Sequence, residues 1–333
     1  MRLLFHLSGE HPTLPRAEVL AVLEASGISY SVLESMDQAL IVEADSVPDI
    51  GRLALSHRVC ELLLSCEVSE VPYRMQDLNV GTSSFAVRGR RIKGHARSTD
   101  VPQLERAIGA SIKARGGRVD LRSPEVTYYG ILTERFLLGR VLAEMDRAQY
   151  QGRRPHRRPY FHPGAMLPRN SRCLVNLTRV KPGDRFLDPF CGTGGFLIEA
   201  GLLGAKLHGC DIDPEAVEGC RRNLEAYGVK DYTVEERDAR SLGSLYPGTF
   251  DAVATDPPYG VSASTGGLGL EELYGSVMGP IRDVLKPGGY ACVVAPDAIP
   301  LEGLAAEAGF KVVEVHLDRI HGSLTRKIVV GRK

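Results

Sequence analysis

The stretch Asp188-Pro189-Phe190-Cys191-Gly192-Thr193-Gly194-Gly195 decides the fold of the second half of this chain. It follows an apolar run at residues 185–189, which predicts a strand, and opens a helical pattern at residues 195–203. Glycines in such a loop remove Cβ atoms, so a ligand can approach the backbone closely. The stretch therefore predicts a ligand-binding loop beyond the carboxyl end of a strand in a parallel sheet.

Strand and helix patterns alternate from this loop almost to the end of the chain. The further predicted strands are residues 206–211, 232–235, 250–255 and 290–295. The further predicted helices are residues 214–227, 268–285 and 301–308. Such alternation indicates a parallel sheet covered by helices on both faces. Two final apolar runs, at residues 311–317 and 327–330, are separated by a turn with His321, Gly322 and Ser323, which predicts an antiparallel hairpin.

Acidic residues follow three successive predicted strands. Asp188 stands at the start of the glycine loop, Asp211 ends the second strand, and Asp238 follows the third. A carboxylate about 20 residues beyond the loop can bind a ribose diol, and a side chain at position 238 can reach an adenine amine. Asp188 suits the positively charged amino-acid end of S-adenosylmethionine better than a pyrophosphate, although a nicotinamide dehydrogenase is the competing interpretation. The predicted cofactor-binding residues here are Asp188, Phe190, Gly192, Thr193, Gly194, Asp211, Ile212, Asp238 and Ala239.

A second motif, Asp256-Pro257-Pro258-Tyr259, follows the fourth predicted strand. Prolines have no N–H group, so their carbonyls remain as acceptors, and an ionised Asp256 also accepts. Together these groups can hold both hydrogens of an exocyclic amine, while Tyr259 offers a face on which a base can stack. The motif predicts N-methylation of a base, with Asp256, Pro257, Pro258 and Tyr259 as the catalytic residues. Cys191 has no Cys or His partner in the motif, which favours a packing role.

Together these two motifs resemble the amino-methyltransferase branch of the class I S-adenosylmethionine-dependent family, over about residues 155–333. Residues 84–88, 98–100, 104–109 and 119–125 resemble a THUMP domain, a module that binds RNA. Residues 160–167 (YFHPGAML) and 321–326 (HGSLTR) resemble the corresponding segments of the THUMP-containing tRNA guanine-10 N2-methyltransferases of archaeal type. Such relatives place His162 and Pro163 against the cofactor loop, and they make His321 a residue that shapes the base pocket or contacts RNA.

This resemblance implies an enzyme that methylates the N2 amine of guanine 10 in tRNA, once or twice, with S-adenosylmethionine as cofactor. Another tRNA guanine or a ribosomal RNA guanine remains the alternative substrate, while the THUMP-like segments argue against DNA. An RNA-binding protein with an inactive catalytic domain is a further alternative, and the intact acidic motifs argue against it. Eukaryotic relatives use a small zinc-binding activator subunit, so such a partner remains open here.

Four regions are predicted from these patterns. Residues 1–60 are an α+β ferredoxin-like domain, 61–145 the THUMP domain, 146–165 a basic linker, and 166–333 the Rossmann-like α/β methyltransferase domain with its final hairpin. A helix is predicted at residues 47–55, and the prolines of the linker predict an extended conformation.

Charge is unevenly distributed along the 333 residues. Residues 88–158 carry a net charge of +10, between flanks of −7 (residues 1–87) and −3 (residues 159–333). A basic band of this kind indicates a polyanionic partner. The predicted RNA-binding residues are Arg88, Arg90, Arg91, Lys93, Arg153, Arg154 and Arg157.

Several classes of protein are excluded by composition. No apolar stretch approaches the roughly 20 residues of a membrane span, and the N-terminus lacks a signal-peptide core. The seven cysteines contain no Cys-x-x-Cys pair, so no metal site is predicted, and reduced thiols in a cytoplasmic protein are expected.

Overall fold

The computed structural model describes residues 1–259, 269–322 and 324–333, and at His321 only the backbone. Ser323 of the predicted turn and the start of the helix predicted from residue 268 lie outside these ranges. The chain forms two compact units. The first unit contains Met1–Arg16, Gly27–Gly51 and Leu55–Asp146, and the second contains Ala17–Ser26, Arg52–Ala54 and Arg147–Lys333. Within the described ranges, no helix is both long enough and apolar enough to cross a membrane.

Fifteen strands and nine helices make up the described part of the chain. The strands are β1 (Arg2–Leu7), β2 (Tyr30–Met36), β3 (Ala39–Ala44), β4 (Ser56–Cys66), β5 (Ser84–Arg91), β6 (Arg118–Val119), β7 (Val126–Leu132), β8 (Phe136–Glu144), β9 (Arg185–Asp188), β10 (Lys206–Asp211), β11 (Tyr232–Glu236), β12 (Phe250–Thr255), β13 (Leu285–Pro296), β14 (Lys311–His321) and β15 (Leu324–Arg332). The helices are α1 (Leu14–Ala25), α2 (Val71–Arg74), α3 (Val101–Lys113), α4 (Pro168–Leu177), α5 (Gly195–Gly201), α6 (Pro214–Ala226), α7 (Leu242–Leu245), α8 (Leu270–Val284) and α9 (Leu301–Glu307).

A seven-stranded sheet forms the centre of the second unit. Its strand order is β11-β10-β9-β12-β13-β15-β14. The first five strands are parallel, and β15 runs antiparallel to both β13 and β14. The predicted parallel sheet and final hairpin are therefore confirmed. The order reverses between β9 and β12, and ligands of open α/β sheets bind in the crevice at such a point.

An eight-stranded sheet forms the first unit, in the order β2-β3-β1-β4-β8-β7-β5-β6. Its first four strands are antiparallel neighbours. The chain order β1, α1, β2, β3 is that of the ferredoxin-like motif, although most of α1 belongs to the second unit. The helix predicted at residues 47–55 is wrong, since only the 3-10 turn Ile50–Arg52 forms there. Asp49 accepts a hydrogen bond from the Gly51 N–H at 2.9 Å, a local bond that competes with helix.

Strand β4 is missing from the sequence interpretation. It pairs with β1 on one side and β8 on the other, and register shifts near Cys60 and Leu64 interrupt the alternation that predicts a strand. The predicted boundary at residue 60 falls inside β4. The four-region division stays a prediction, as does the THUMP assignment.

The extended conformation predicted for the basic linker, residues 146–165, is also wrong. Residues Ala148–Arg153 and Pro155–Arg157 form 3-10 helices, because Arg153 and Arg158 turn their side chains inward. Arg153 pairs with the fully buried Glu199, and Arg158 donates to the Thr193 hydroxyl at 3.1 Å. Linker and methyltransferase segment thus belong to the same compact unit.

Candidate active site

The glycine loop is held at the carboxyl ends of β9 and β10 by hydrogen bonds that two of its backbone N–H groups donate. Cys191 N–H donates to the Cys210 carbonyl at 2.8 Å, and Gly192 N–H donates to Asp211 Oδ2 at 2.9 Å. Gly192 and Gly194 adopt φ values of 47° and 77°, which favour glycine. Above Gly192 no atom lies within 4 Å of an added Cβ, so this face of the loop is open.

Asp211 and Ile212 line the same edge of the sheet. The second oxygen of Asp211 accepts from Asp213 N–H at 3.1 Å, which fixes the carboxylate. Ile212 leaves 41% of its surface exposed beside it. An open glycine backbone, an oriented carboxylate and an exposed apolar side chain fit the three parts of a nucleoside-containing cofactor: chain, ribose and base.

Asp188 is buried beneath this loop rather than open to it. Its Oδ1 accepts from the Thr255 hydroxyl at 2.9 Å and from Phe190 N–H at 3.2 Å. Burial raises the pKa of Asp188 to about 8, and the hydrogen bonds from Thr255 and Phe190 offset only part of that effect. Asp188 therefore connects the cofactor loop to the end of β12, where the second motif begins.

We expect Asp188→Asn to change how stability depends on pH. The folded pKa is about 8 and the unfolded value about 4, so the folded state binds the extra proton between these values. This contribution to stability is full below about pH 4 and is lost as the pH rises through 8. The free energy of unfolding of the native chain should therefore fall relative to the variant, by up to about 1.4 kcal/mol per pH unit between pH 5 and 8. Urea unfolding of both proteins across this range measures it, and parallel curves would contradict it.

Asp238 begins the 3-10 helix Ala239–Ser241 beyond β11. Its carboxylate accepts from Arg240 N–H at 2.9 Å and pairs with the Arg240 guanidinium. The hydrogen bond with the Arg240 side chain lowers the pKa of Asp238. The side chain stays 40% exposed, so it remains accessible at the strand end where the sequence places an adenine contact.

The second motif surrounds its carboxylate with polar partners. Tyr259 donates its hydroxyl to Asp256 Oδ1 at 2.6 Å, and the Tyr274 hydroxyl lies 3.3 Å from the Pro257 carbonyl. Arg326 donates from Nε to the Tyr259 hydroxyl at 3.0 Å, and its Nη2 lies 3.7 Å from Asp256 Oδ2. Burial raises the pKa of Asp256, while Arg326 opposes that rise. A hydrogen-bond acceptor is thus fixed at the end of β12.

Tyr274 and Arg326 are absent from the predicted site. Tyr274 lies on the buried side of α8, where an amphipathic pattern predicts only packing. Arg326 belongs to β15, the strand inserted between β13 and β14. Arg326 ends the HGSLTR segment at residues 321–326, but the resemblance of that segment gave the arginine no role, and its contact with Tyr259 depends on the order of the strands.

The segment with His162 and Pro163 is exposed and is anchored through the preceding Tyr160. Asn223 of α6 donates to the carbonyls of both Tyr160 and Thr193 at 2.9 Å and accepts from Tyr160 N–H at 2.9 Å. This fully buried amide therefore ties the segment to the glycine loop. Gly219, a glycine inside α6, is the sequence feature that could have indicated this contact. A Cβ at position 219 would come within 2.1 Å of the Tyr160 ring, so only glycine lets that ring lie against α6.

The predicted RNA-binding residues differ in exposure. Arg90, Lys93, Arg154 and Arg157 are exposed, although Lys93 also pairs with Asp37 at 2.9 Å. Arg88 and Arg91 are half-buried and donate to the carbonyls of Leu121 and Thr99. Arg153, in its internal ion pair with Glu199, does not reach the surface as the prediction requires.

One group of potential metal ligands occurs among the described residues: His208, Cys210 and Glu235. Glu235 already accepts from His208 at 2.9 Å, from Tyr246 at 2.8 Å and from Arg237 at 3.0 Å. Because Arg237 supplies the positive charge there, we assign the group no metal.

Comparison with known proteins places this geometry among methyltransferases. Residues 155–328 match the family model of the RMKL-like methyltransferase domain (UPF0020). The tRNA (guanine(10)-N2)-dimethyltransferase of Methanothermobacter thermautotrophicus is 43% identical over 99% of both chains. The protein of the same name from Methanocaldococcus jannaschii is 35% identical over 98% of both. The crystal structure of TrmN from Thermus thermophilus aligns over 100% of both chains with a TM-score of 0.54 and 22% identity, a likeness of fold.

Proposed function

This chain belongs to the tRNA (guanine(10)-N2)-dimethyltransferase family, and we propose that it methylates the N2 amine of guanine 10 in tRNA. The observation that carries the proposal is the acceptor at the end of β12. Asp256 and the Pro257 carbonyl present oxygens beside the switch point of a methyltransferase sheet. Since the substrate RNA is intracellular, the cytoplasm is its expected location.

The cofactor is S-adenosylmethionine, which supplies an electrophilic methyl group. Asp211 would hold its ribose diol, Ile212 and Asp238 its adenine, and the open backbone at Gly192 its amino-acid chain. Phe190, Thr193, Gly194 and Ala239 shape the same edge of the sheet, and His162 and Pro163 would close over it.

The residues of this chain act on the amine by orientation. Asp256 and the Pro257 carbonyl accept hydrogen bonds from its two N–H groups, which favours a pyramidal nitrogen whose lone pair is less delocalised into the ring. Pro258 fixes the backbone between Pro257 and Tyr259. The Tyr259 ring stacks on the base, which must leave the folded RNA to reach the site. Holding the reactants in this geometry supplies most of the acceleration.

We expect two methyl groups to be added. After the first transfer the nitrogen keeps one N–H, and one acceptor is enough to orient it again. The names of both archaeal relatives state dimethylation, which supports this step.

Asp211→Ala should weaken S-adenosylmethionine binding by about 10-fold or more. The variant loses the charged acceptor for the ribose diol, and such hydrogen bonds contribute about 1.5–3 kcal/mol. Calorimetric titration measures the affinity. Asp213→Ala is the matched control, since that exposed side chain caps α6 at Glu215 N–H. Equal affinities in the native chain and Asp211→Ala would move the ribose contact elsewhere.

The tRNA would be bound through the basic band, with residues 61–145 acting as a THUMP domain. We expect the double variant Arg90→Gln, Lys93→Gln to weaken tRNA binding and to flatten its salt dependence. Each lost phosphate contact should reduce the slope of log K against log salt by about 0.9. Arg2→Gln, Arg16→Gln, which removes the same charge from exposed positions outside the band, is the control. An unchanged slope would place the RNA surface elsewhere.

Nucleoside mass spectrometry tests the proposal directly. Purified protein is incubated with unmodified tRNA and S-adenosylmethionine, and the product is digested and mapped. N2,N2-dimethylguanosine at position 10 is the expected result. Methylation of another tRNA guanine, or of ribosomal RNA alone, would overturn the substrate, and absence of any N2-methylated guanosine would overturn the activity.

A further inference from the structure

Arg326 reaches the catalytic motif from a distant part of the chain. It lies on β15, opposite Pro296 of β13 and Asp318 of β14. Only 9% of its surface is exposed. A long cationic side chain is rarely buried this far without a partner that requires it.

Its contacts converge on two residues of the motif. Arg326 Nε donates to the Tyr259 hydroxyl at 3.0 Å, and that hydroxyl donates its own proton to Asp256 Oδ1 at 2.6 Å. Arg326 Nη2 stands 3.7 Å from the other carboxylate oxygen, Oδ2. The guanidinium therefore acts on Asp256 both directly, as a charge, and through the hydroxyl of Tyr259.

We propose that Arg326 is a positioning residue for methyl transfer, which keeps Asp256 ionised and aimed at the amine while it holds the Tyr259 hydroxyl. The proposal rests on the proposed function, because it assigns Asp256 the role of accepting the amine hydrogens. Guanine binding would draw Oδ1 away from the Tyr259 hydroxyl. The hydrogen bond from Arg326 Nε to that hydroxyl would remain, and it would keep the Tyr259 ring in place for stacking.

The surrounding charges explain why a cation is required. Burial disfavours the charged form of Asp256 and raises its pKa, and Arg326 acts against this. Among the described side chains, the other titratable groups that interact with this cluster come from four neighbouring elements: Asp188 at the end of β9, Tyr274 on α8, Cys292 on β13 and Asp318 on β14. None of these four groups carries a positive charge, so Arg326 is the cation in this set.

Two substitutions at position 326 distinguish the effect of the positive charge from the effect of the hydrogen-bonding geometry. Arg326→Lys keeps the positive charge but loses the planar fork that contacts two partners, whereas Arg326→Gln loses the charge. An opposite charge at this range lowers a carboxyl pKa by about 1–3 units. Arg326→Gln should therefore move the low-pH limb of the single-turnover rate upward by about one pH unit or more. Arg326→Lys should be slower than the native chain but should keep its pH profile.

Tyr259→Phe tests the route through the hydroxyl without relying on the fold of an Arg326 variant. If Arg326 acts partly through that hydroxyl, the double variant Arg326→Gln, Tyr259→Phe should lose less rate than the product of the two single losses. Calorimetric binding of S-adenosylmethionine, measured for every variant, should stay close to the native value.

Three results would overturn the proposal: Arg326→Gln with an unshifted pH profile, Gln and Lys variants with identical profiles, or strictly multiplicative losses in the double variant. Native protein that makes no N2-methylguanosine would instead overturn the proposed function. Because the native rate is measured in the same series, the two failures are distinguishable.

Discussion

Asp256→Ala is expected to lower the single-turnover rate of methyl transfer by about 10²-fold or more. Its carboxyl group is the acceptor at the end of β12, held by Tyr259 at 2.6 Å and faced by Arg326. Removing one preorganised group that acts on the reacting atoms typically costs 10²–10³ in rate. Alanine leaves the Pro257 carbonyl and the Tyr259 ring in place, so binding should suffer far less than turnover.

The measurement is single-turnover methylation of tRNA, with cofactor affinity determined in parallel. Asp283→Ala is the matched control, since this aspartate is 58% exposed on α8, and its loss should leave the rate unchanged. A rate for Asp256→Ala within about threefold of the native value would remove Asp256 from the mechanism. A parallel loss of cofactor affinity would make its role structural.

Glu199→Gln is expected to lower the free energy of unfolding by about 3–5 kcal/mol, more than the other substitutions considered for stability. Glu199 lies on α5 with no exposed surface and receives two guanidinium groups. Arg153 contacts its two oxygens at 2.7 and 3.1 Å, and Arg172 lies 2.9 and 3.0 Å from Oε2. Glutamine keeps the shape but not the charge, which leaves two buried cations uncompensated.

Urea unfolding measures this loss, with Glu218→Gln as control. Glu218 also pairs with an arginine, Arg221 at 3.6 Å, but the pair lies on the surface of α6. Exposed pairs contribute about 0–1 kcal/mol, so the control should unfold almost like the native chain. A difference of less than 1 kcal/mol between the two variants would show that water reaches the Glu199 cluster.

The sequence predicted the sheet of the second unit well because its local patterns and its overall order agree. β10 and β12 begin and end at the predicted residues, and the motifs fall at strand ends where a parallel sheet gathers them. Prediction failed where a local feature interrupts the expected pattern. A turn closed by Asp49 replaces most of the helix predicted at residues 47–55, and register shifts in β4 break the alternation that predicts a strand.

The candidate site divides in the same way. Asp211 ends β10 and Asp256 directly follows β12, so spacing alone located them. Asn223 and Arg326 act across elements that are distant in sequence. Their contacts could therefore not be predicted from their own neighbourhood, although Arg326 ends the 321–326 segment that resembles the family. Asp188 shows a third case: the residue is where the motif puts it, but its burial could be read only from the structure.

The second unit is built from three separate segments of the chain, which limits where this enzyme can be truncated or fused to another protein. Residues 17–26 and 52–54 belong to that unit. Asn176 Nδ2 donates to Glu18 at 2.8 Å and to the Arg52 carbonyl at 2.9 Å, in a wholly buried position. A fragment starting at residue 147 would leave that amide without these acceptors and expose the apolar surface around it. Residues 147–333 are therefore not a self-contained domain. A fusion or truncation that transfers them must also include residues 17–26 and 52–54.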